Sequence, residues 1–368
     1  MPSATEKRGF DAIVVGAGVI GLTCAWRAAQ RGLDVVVLDR STPLSGATGV
    51  AAGMLAPVGE LAFGEQRLLE LTLESAERYP DFVAELEELS GSETGYDRRG
   101  ALHVSLDRDE AEELRRRHQL QRSLGLEAEW LTPRRCRELE PGLAPSITAG
   151  VHAPNEGAID PRALCAALLA ALEREGAEVR SGAAVNEAVI EGGRIEGIRT
   201  EAGEEVRASQ VVLANGCWAG QSDWLPPHAR PQVRPVKGQI LTLRGSAEDP
   251  VCERIVASER VYLVPRNDGR LIVGATEEER GFDTTVTAGG VHELLREAYR
   301  LLPEIAELEL VEATAGLRPG TPDNLPLIGP GALEGLVLAT GHYRNGVLLA
   351  PLTAERVADA LVGAEVHA

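Results

Sequence analysis

The sequence predicts an α/β protein that combines a doubly wound parallel sheet with a second, β-rich region. Three features predict this fold class. Residues 11–40 contain a strand, a glycine-rich turn, a helix and a second strand in order, which is a βαβ unit. Residues 210–216 and 335–341 are apolar runs that end in a small residue and a glycine, which is typical of buried parallel strands. Residues 233–243 and 261–273 alternate in polarity, which indicates antiparallel strands.

The first βαβ unit carries three glycines at the spacing G-x-G-x-x-G, namely Gly16, Gly18 and Gly21. Gly16 permits the turn, Gly18 allows a pyrophosphate to approach the backbone, and Gly21 lets the helix pack closely on the sheet. The helix N-terminus offers unpaired N–H groups to the phosphates. Asp39 ends the second strand, where a carboxylate accepts a hydrogen bond from a ribose 2′-OH. The unit therefore predicts a Rossmann-type site for NAD or FAD and argues against NADP.

Turn and cap signals divide the rest of the chain. Residues 45–57, SGATGVAAGMLAP, form a loop whose small side chains suit backbone packed against a flat ring system. Residues 65–89 are amphipathic but contain Pro80, so we expect two helices there. Further predictions are helices at 108–125, 132–139, 162–175, 291–302 and 347–361, strands at 100–105, 179–181 and 183–189, a polar β-meander at 195–206 and a turn-rich crossing at 150–159.

Composition limits the classes of function. The chain has 368 residues, 44% of them apolar, which is enough for about two to three domains. A net charge of −19 argues against nucleic acid or an anionic membrane as a partner. No stretch is long enough for an integral membrane segment, and the apolar run at 12–26 contains the glycine motif instead of a signal sequence. Five scattered cysteines predict neither a metal site nor disulfides, so we expect a cytoplasmic protein. Residues 1–10, before the first strand, are expected to form an unstructured tail.

Three further segments carry a family resemblance. They are AAGMLAP at 51–57, AGLRPGTPDNLPLIG at 315–329 and GHYRNGVLLAP at 341–351. Together with the glycine motif, they resemble the FAD-dependent D-amino acid oxidase superfamily, and within it the glycine oxidase family of thiamine biosynthesis. The resemblance covers essentially the whole chain. It implies a Rossmann-type FAD-binding domain from residues 10–60, 150–225 and 320–368, with an inserted α+β substrate-binding domain on an antiparallel sheet from residues 61–149 and 226–319.

The resemblance also implies where the cofactor binds. The residues assigned to the pyrophosphate and ribose are Gly16, Gly18, Val19, Ile20, Gly21, Asp39 and Arg40. Those assigned to the flavin are Ala47, Thr48, Ala52, Gly53 and Met54, and Val185 is assigned to the adenine. The loop around the isoalloxazine ring consists of His342, Tyr343, Arg344, Asn345, Gly346, Val347 and Leu348. FAD is expected to be non-covalent, because sarcosine oxidases attach flavin through a late cysteine and this chain has none after Cys252.

For the substrate, the resemblance implies that Arg318 anchors the carboxylate, with help from Arg344 and Tyr262. A planar guanidinium suits this role because it binds a carboxylate through two parallel hydrogen bonds. The neighbours of Arg318 are apolar or small, which favours a head group in a cavity over a surface charge. For Arg344 a structural contact with backbone carbonyls stays open, and for Tyr262 an ordinary core position.

The implied reaction is oxidation of glycine and other small amino acids. A hydride passes from the α-carbon to flavin N5, the imine hydrolyses to a 2-oxo acid and ammonia, and O2 is reduced to H2O2. We expect no catalytic acid or base from the protein, since the flavin carries the chemistry and the protein supplies orientation, and we expect a structural role for His342. A role in thiamine thiazole biosynthesis follows, and a homo-oligomer and a thiazole-synthesis partner stay open.

Three alternatives remain at this point. A D-amino acid dehydrogenase that passes electrons to a quinone or carrier needs the same flavin and carboxylate sites. A sarcosine-type oxidase of N-methyl amino acids is also close. A nucleotide-sensing binding module without catalysis shares the glycine motif but does not explain the segments around Arg318 and Arg344. The sequence does not identify the preferred amino acid.

Overall fold

The structure is a computed structural model, and it describes residues 9–363. Its strands are β1 (Phe10–Val15), β2 (Val35–Leu38), β3 (Met54–Leu55), β4 (Ala101–Ser105), β5 (Glu129–Leu131), β6 (Ala149–Ala153), β7 (Gly157–Ala158), β8 (Glu178–Arg180), β9 (Val185–Glu191), β10 (Arg194–Thr200), β11 (Glu205–Leu213), β12 (Arg234–Arg244), β13 (Ile255–Ala257), β14 (Tyr262–Pro265), β15 (Arg270–Gly274), β16 (Glu309–Gly320), β17 (Leu327–Pro330) and β18 (Leu336–Thr340). Its α-helices are α1 (Val19–Gln30), α2 (Gln66–Ser90), α3 (Arg108–Ser123), α4 (Pro133–Leu139), α5 (Pro161–Arg174), α6 (Ala288–Leu301) and α7 (Ala350–Leu361).

The first sheet has the strand order β17-β18-β11-β1-β2-β8, with β9 and β10 attached beside β11. β1 pairs in parallel with β2 on one side and with β11 on the other, so the strand order reverses beside β1. Side chains of β1 alternate between two cores. Val14 packs with helices α1, α5 and α7 on one face, and Ile13 packs with the β9–β10 hairpin on the other. Because α1 directly follows β1, its start lies at the point where the strand order reverses.

The second sheet has the order β16-β12-β15-β14-β13-β4-β6-β5, and of its pairs only β13 with β4 is parallel within residues 9–363. One face, including Leu241 and Leu263, packs against α6. The opposite face carries Ile240 and Ile272 and packs on the loop around Ala52 from the first sheet's side of the molecule. The predicted α/β class with a parallel and an antiparallel sheet is confirmed.

The prediction of two helices over residues 65–89 is wrong, because α2 continues through Pro80 as one helix. Pro80 lacks an N–H group and interrupts the ladder of hydrogen bonds. Packing holds the two halves together: Phe82 lies 5.6 Å from the Trp26 ring and 5.7 Å from the Tyr79 ring, centroid to centroid. Tyr79 Oη also donates a 2.6 Å hydrogen bond to the carbonyl of Val347. Burial of these aromatic rings outweighs the cost of the proline.

The predicted turn-rich crossing at 150–159 is also wrong, because it contains β6 and β7. A side chain at Gly150 would collide with Cys136 and make a tight contact with Leu102, so this glycine marks close packing instead of a turn. β6 lies between β4 and β5 in the second sheet, whereas the predicted boundary at 150 assigns it to the nucleotide domain.

Chain ends and element ends differ slightly from the predictions. Phe10 belongs to β1 and pairs with Ala208, so it is not part of a tail. The rest of the predicted tail, residues 1–8, lies outside the described residues, as does the stretch 364–368 of the predicted FAD domain. The last helix begins at Ala350, not at 347.

Candidate functional site

A cavity of about 450 Å³ lies between the carboxyl ends of the parallel strands and the second sheet. Its wall includes Leu38 at the end of β2, Ala214 after β11 and Thr340 at the end of β18. Gly238 of β12 and Tyr262 of β14 face it from the second sheet. Open α/β sheets bind ligands at this edge, beside the point where the strand order reverses. Its volume is within the range of small-molecule sites.

One end of the cavity, the nucleotide end, is formed by the glycine-rich turn and the start of α1. Gly16 has a φ of +114°, and a side chain there would collide with the carbonyl of Ala214. Gly21 lies under the turn, where a Cβ would collide with the carbonyl of Gly16. Thr48 Oγ1 accepts a 3.1 Å hydrogen bond from Val19 N and so ties the following loop to the helix start. The absence of side chains at these glycines lets a ligand make direct contact with the backbone N–H groups.

Asp39 connects the end of β2 to the glycine-rich turn. Its Oδ2 accepts a 2.7 Å hydrogen bond from Ala17 N, and its Oδ1 accepts a 2.8 Å hydrogen bond from Ser41 N. Each carboxylate oxygen has a second lone pair, so a ribose hydroxyl can still donate to it. Next along the chain, the Arg40 guanidinium lies 3.9 Å from the centre of the Trp218 ring. Asn215 Oδ1 is buried on the cavity wall without a hydrogen-bond partner in residues 9–363.

The segment 342–347 follows β18 and contributes five residues to the cavity wall. His342 is 2% exposed, and its Nε2 lies 2.9 Å from Thr353 Oγ1. Burial lowers the pKa of His342 to about 3, so its ring is neutral near pH 7. Tyr343 has a φ of 49°, and its burial together with Glu277 raises its pKa to about 12. A neutral, hydrogen-bonded imidazole supports the structure of this loop.

Arg318 lies on β16 at the other end, the substrate end. Its Nη1 donates to the carbonyl of Thr276 at 3.2 Å and to that of Lys237 at 3.4 Å. A side chain at Gly238 would collide with the guanidinium, so the glycine provides its space. No carboxylate in residues 9–363 lies within ion-pair distance of Arg318. The guanidinium is thus oriented by carbonyls and has no anionic partner of its own.

Tyr262 lies beside Arg318 and is half-buried. Its ring covers Gly274 of the neighbouring strand β15, where a side chain would collide with the phenol. Burial raises the pKa of Tyr262 to about 12, and the Arg318 charge opposes that rise. The hydroxyl is therefore neutral near pH 7 and available as a hydrogen-bond donor.

Arg344 is exposed and its side chain lines the same cavity. Its guanidinium lies 5.1 Å from the Tyr343 ring centre, and no carboxylate in the described chain pairs with it. The chain has a net charge of −19, yet two arginines without acidic partners meet here. Such a pair of cations is suited to an anionic ligand.

Most predicted site residues line this cavity. The substrate residues Arg318, Arg344 and Tyr262 all do so, and so do the cofactor residues Gly16, Gly18, Val19, Ile20, Asp39, Arg40, Ala47, Thr48, Ala52, Gly53, Met54, Val185, His342, Tyr343, Gly346 and Val347.

Three predicted residues do not reach the wall. Gly21 lies beneath the glycine-rich turn, as described above. Asn345 uses its backbone inside the loop, where its N–H donates to His342 and its carbonyl accepts from Leu349. Leu348 is buried in the core of the first sheet, and its carbonyl accepts a 2.6 Å hydrogen bond from Ser75 Oγ.

Sequence reasoning missed three residues of the substrate end. Gly238 lies inside the strand β12, and a glycine inside a strand is a signal for close approach by another group, whereas Gly274 is the last residue of β15. Glu60 also lines the cavity. It follows the small-residue loop as a single acidic residue, which is too common a pattern to indicate a site.

Comparison with known proteins identifies the family. A family model described as "DAO: FAD dependent oxidoreductase" matches residues 11–360. The chain belongs to this DAO family. The predicted family, fold class and FAD cofactor are thereby confirmed, and this DAO-family chain is an FAD-dependent enzyme.

Individual relatives of this DAO-family chain are similar over nearly its whole length. It is 37% identical over 355 residues to a bifunctional protein ThiO/ThiG of Trichormus variabilis, covering 96% of this chain and 52% of that protein. It is 35% identical to a glycine oxidase of Geobacillus kaustophilus, covering 95% and 92%. The crystal structure of glycine oxidase from Geobacillus kaustophilus matches it with a TM-score of 0.89 at 34% identity, covering 97% and 95%. The chain spans about half the length of the bifunctional relatives it matches.

The nucleotide end fits FAD. It has glycines that leave the helix start open, a carboxylate with free lone pairs at Asp39, and the unpartnered Oδ1 of Asn215 as a hydrogen-bond acceptor.

No helix in residues 9–363 combines the length and the apolar character needed to cross a bilayer.

Proposed function

We propose that this chain oxidises glycine and other small amino acids to an imine, which hydrolyses to a 2-oxo acid and ammonia while O2 is reduced to H2O2. The observation that carries the proposal is the pair Arg318 and Arg344, two guanidiniums without acidic partners at the substrate end. The similarity to proteins named glycine oxidase supports it.

In this proposal FAD is held without a covalent bond. Gly16, Gly18 and the start of α1 hold the pyrophosphate, and Asp39 holds the ribose. The small residues Ala52 and Gly53, with the segment 342–347, hold the flavin. None of the residues that line the cavity is a cysteine. Acid precipitation of the purified protein should therefore release the yellow colour into the supernatant, and colour that stays in the pellet would contradict non-covalent binding.

Bound FAD supplies the two-electron acceptor for the substrate's α-carbon. The chain's own residues orient the substrate. Arg318 binds the carboxylate through its planar fork, and its hydrogen bonds to the Thr276 and Lys237 carbonyls fix the guanidinium before the substrate arrives. The Tyr262 hydroxyl donates a further hydrogen bond to the carboxylate. The α-carbon is then held in one position, which lowers the entropic part of the barrier.

We also propose a role in thiamine thiazole biosynthesis, alongside a thiazole-forming partner. The similarity to three proteins named ThiO/ThiG, of which this chain matches about half, supports that role. The proposal includes a cytoplasmic location for both proteins.

The deciding experiment is H2O2 release by the purified flavoprotein with glycine, sarcosine and a panel of D-amino acids. With glycine, we expect H2O2 to be released in equal amount to the O2 that is consumed. Turnover only with an artificial electron acceptor would indicate a dehydrogenase instead. A yellow protein that turns over none of these amino acids with either acceptor would contradict the proposed substrate class.

A further inference from the structure

Glu60 brings a negative charge to the substrate end. It follows β3 in a short turn, 56–60, that is closed by a 3.1 Å hydrogen bond from Glu60 N to the carbonyl of Ala56. The residue lines the same cavity as Arg318, Arg344 and Tyr262. The substrate end therefore has both cationic and anionic side chains.

Glu156 holds this turn through hydrogen bonds to its backbone. Its Oε1 accepts hydrogen bonds from Val58 N at 2.8 Å and from Gly59 N at 2.5 Å. Gln121 Nε2 donates a 2.9 Å hydrogen bond to the carbonyl of Val58. Glu156 is only 1% exposed, and a side chain at Gly59 would collide with it and with His103. These contacts fix the backbone directly before Glu60, so Glu156 is a positioning residue for it.

The Glu60 carboxylate itself has no partner. Within residues 9–363, no hydrogen-bond donor or cation lies within bonding distance of its oxygens. The charged groups that face it are Arg344 and Arg318, which attract it, together with Glu156 and His103. Burial raises the pKa of Glu60, and the Arg344 charge opposes that rise most strongly. A half-buried carboxylate without a partner is costly unless a ligand pairs with it.

The positive charges of Arg318 and Arg344 and the negative charge of Glu60 are complementary to a zwitterion. An amino acid carries a carboxylate and an ammonium group on the same carbon, and the cavity offers guanidiniums and a carboxylate at one end. We propose that Glu60 receives the ammonium group of the substrate and thereby selects amino acids over simple carboxylic acids of the same size. This inference rests on the proposed function and adds to it the group that recognises the amine.

Glu60→Gln tests the inference, because it keeps the size of the side chain and removes the charge. Two ligands are compared: glycine, which has both charges, and acetate, which has the carboxylate alone. The acetate dissociation constant is measured from the absorbance change of the oxidised flavin in the holoenzyme. The glycine dissociation constant is obtained without O2 from the dependence of the flavin-reduction rate on glycine concentration, or from the absorbance change of the oxidised flavin if glycine does not reduce it. Glu70 is an exposed residue of α2 away from the cavity, and Glu70→Gln removes the same charge as a matched control.

We expect Glu60→Gln to weaken glycine binding by roughly 10- to 100-fold, the usual effect of losing a hydrogen bond between charged groups. Acetate binding should stay the same or become tighter, and Glu60→Asp should lie between wild type and Glu60→Gln for glycine. Equal weakening of both ligands would overturn the inference, because it would place the action of Glu60 on the carboxylate end through Arg344. Unchanged glycine binding would overturn it as well.

Failure of the proposed function is visible separately. Wild-type turnover of glycine tests that function, whereas the ratio of glycine to acetate affinity in wild type and Glu60→Gln tests the role of Glu60. A wild-type protein that binds glycine in a Glu60-dependent way without oxidising it would contradict the first proposal and support the second.

Discussion

At the nucleotide end of the cavity much of the wall comes from glycines and other small residues within 16–20 and 44–54, whereas charged and aromatic residues line the substrate end. The small-residue wall comes from short, continuous segments. The side chains of Arg318, Tyr262 and Glu60 come from β16, β14 and the turn after β3, far apart in sequence. A site made from local backbone tolerates changes of nearby side chains but needs its glycines. A site made from converging side chains depends on the sheet that brings them together.

Among variants that keep every charged group of the cavity, the largest effect that separates the two ends is expected for Gly238→Ala. The added methyl group collides with the Arg318 guanidinium and displaces it, while the nucleotide end is unchanged. Displacement of a binding group by about 1 Å costs roughly 100-fold in rate, so kcat/KM for glycine should fall by about that factor at normal FAD content. Steady-state kinetics with the flavin content determined by absorbance measures both quantities.

Gly289→Ala is the matched control, because Gly289 lies on α6 and a side chain there meets open space. It should retain wild-type kcat/KM. A Gly238→Ala enzyme with wild-type kcat/KM would show that the position of the Arg318 guanidinium does not limit the reaction.

Asp39→Ala is the corresponding change at the nucleotide end. It removes the acceptor assigned to the ribose and also the hydrogen bonds from Ala17 N and Ser41 N. We expect FAD affinity to fall by about 1–3 kcal/mol, while kcat at saturating FAD stays close to wild type. Titration of the apoprotein with FAD, followed by flavin fluorescence, gives the affinity. Unchanged FAD affinity would show that Asp39 is not the ribose ligand.

The difference between a site built from one continuous segment and a site built from distant side chains explains which residues the sequence could predict. The glycine motif and Asp39 follow from one continuous segment and from steric rules, so they could be predicted from residues alone. The roles of Arg318 and Arg344 were predicted through a family resemblance. The apolar and small neighbours of Arg318 indicated only that its head group lies in a cavity, and no local rule separates Arg344 from the other arginines. Gly238 was missed because its partner, the Arg318 side chain, comes from a strand eighty residues away, β16, which pairs with β12 in a register that the sequence does not show.

Long-range packing also explains the errors in the fold. Pro80 predicts a helix break by local rules, but the aromatic contacts around Phe82 keep α2 continuous. Gly150 predicts a turn by composition, but the glycine lets β6 pack against Cys136 and Leu102. In both places contacts between distant segments outweigh the local preference.

A smaller effect is expected for His342, in the segment 342–347 that lines the cavity. Its pKa is about 3 in the folded protein and near 6.5 in the unfolded chain, so the unfolded chain binds the proton first as pH falls. The stability contributed by the neutral ring is complete above pH 6.5 and is lost as pH falls toward 3. Between pH 6.5 and 5.5 the loss is at most about 1.4 kcal/mol.

Urea unfolding of the holoenzyme at pH 6.5 and 5.5 measures this effect. His342→Gln should lose less stability over that interval than wild type, because glutamine does not titrate. His228 is exposed, so His228→Gln serves as the control and should behave like wild type. Equal losses in His342→Gln and wild type would contradict a buried neutral His342.

The central claim is that Arg318 anchors the substrate carboxylate, and the most direct measurement compares wild type, Arg318→Lys and Arg318→Ala with glycine and acetate. Loss of one partner of a buried charge pair costs about 2–5 kcal/mol, so kcat/KM for glycine should fall roughly 30- to 4,000-fold in Arg318→Ala, with lysine between. Acetate binding should weaken in parallel, because both ligands carry the carboxylate. A fully flavinated Arg318→Ala enzyme with wild-type kcat/KM for glycine and unchanged acetate affinity would contradict the claim.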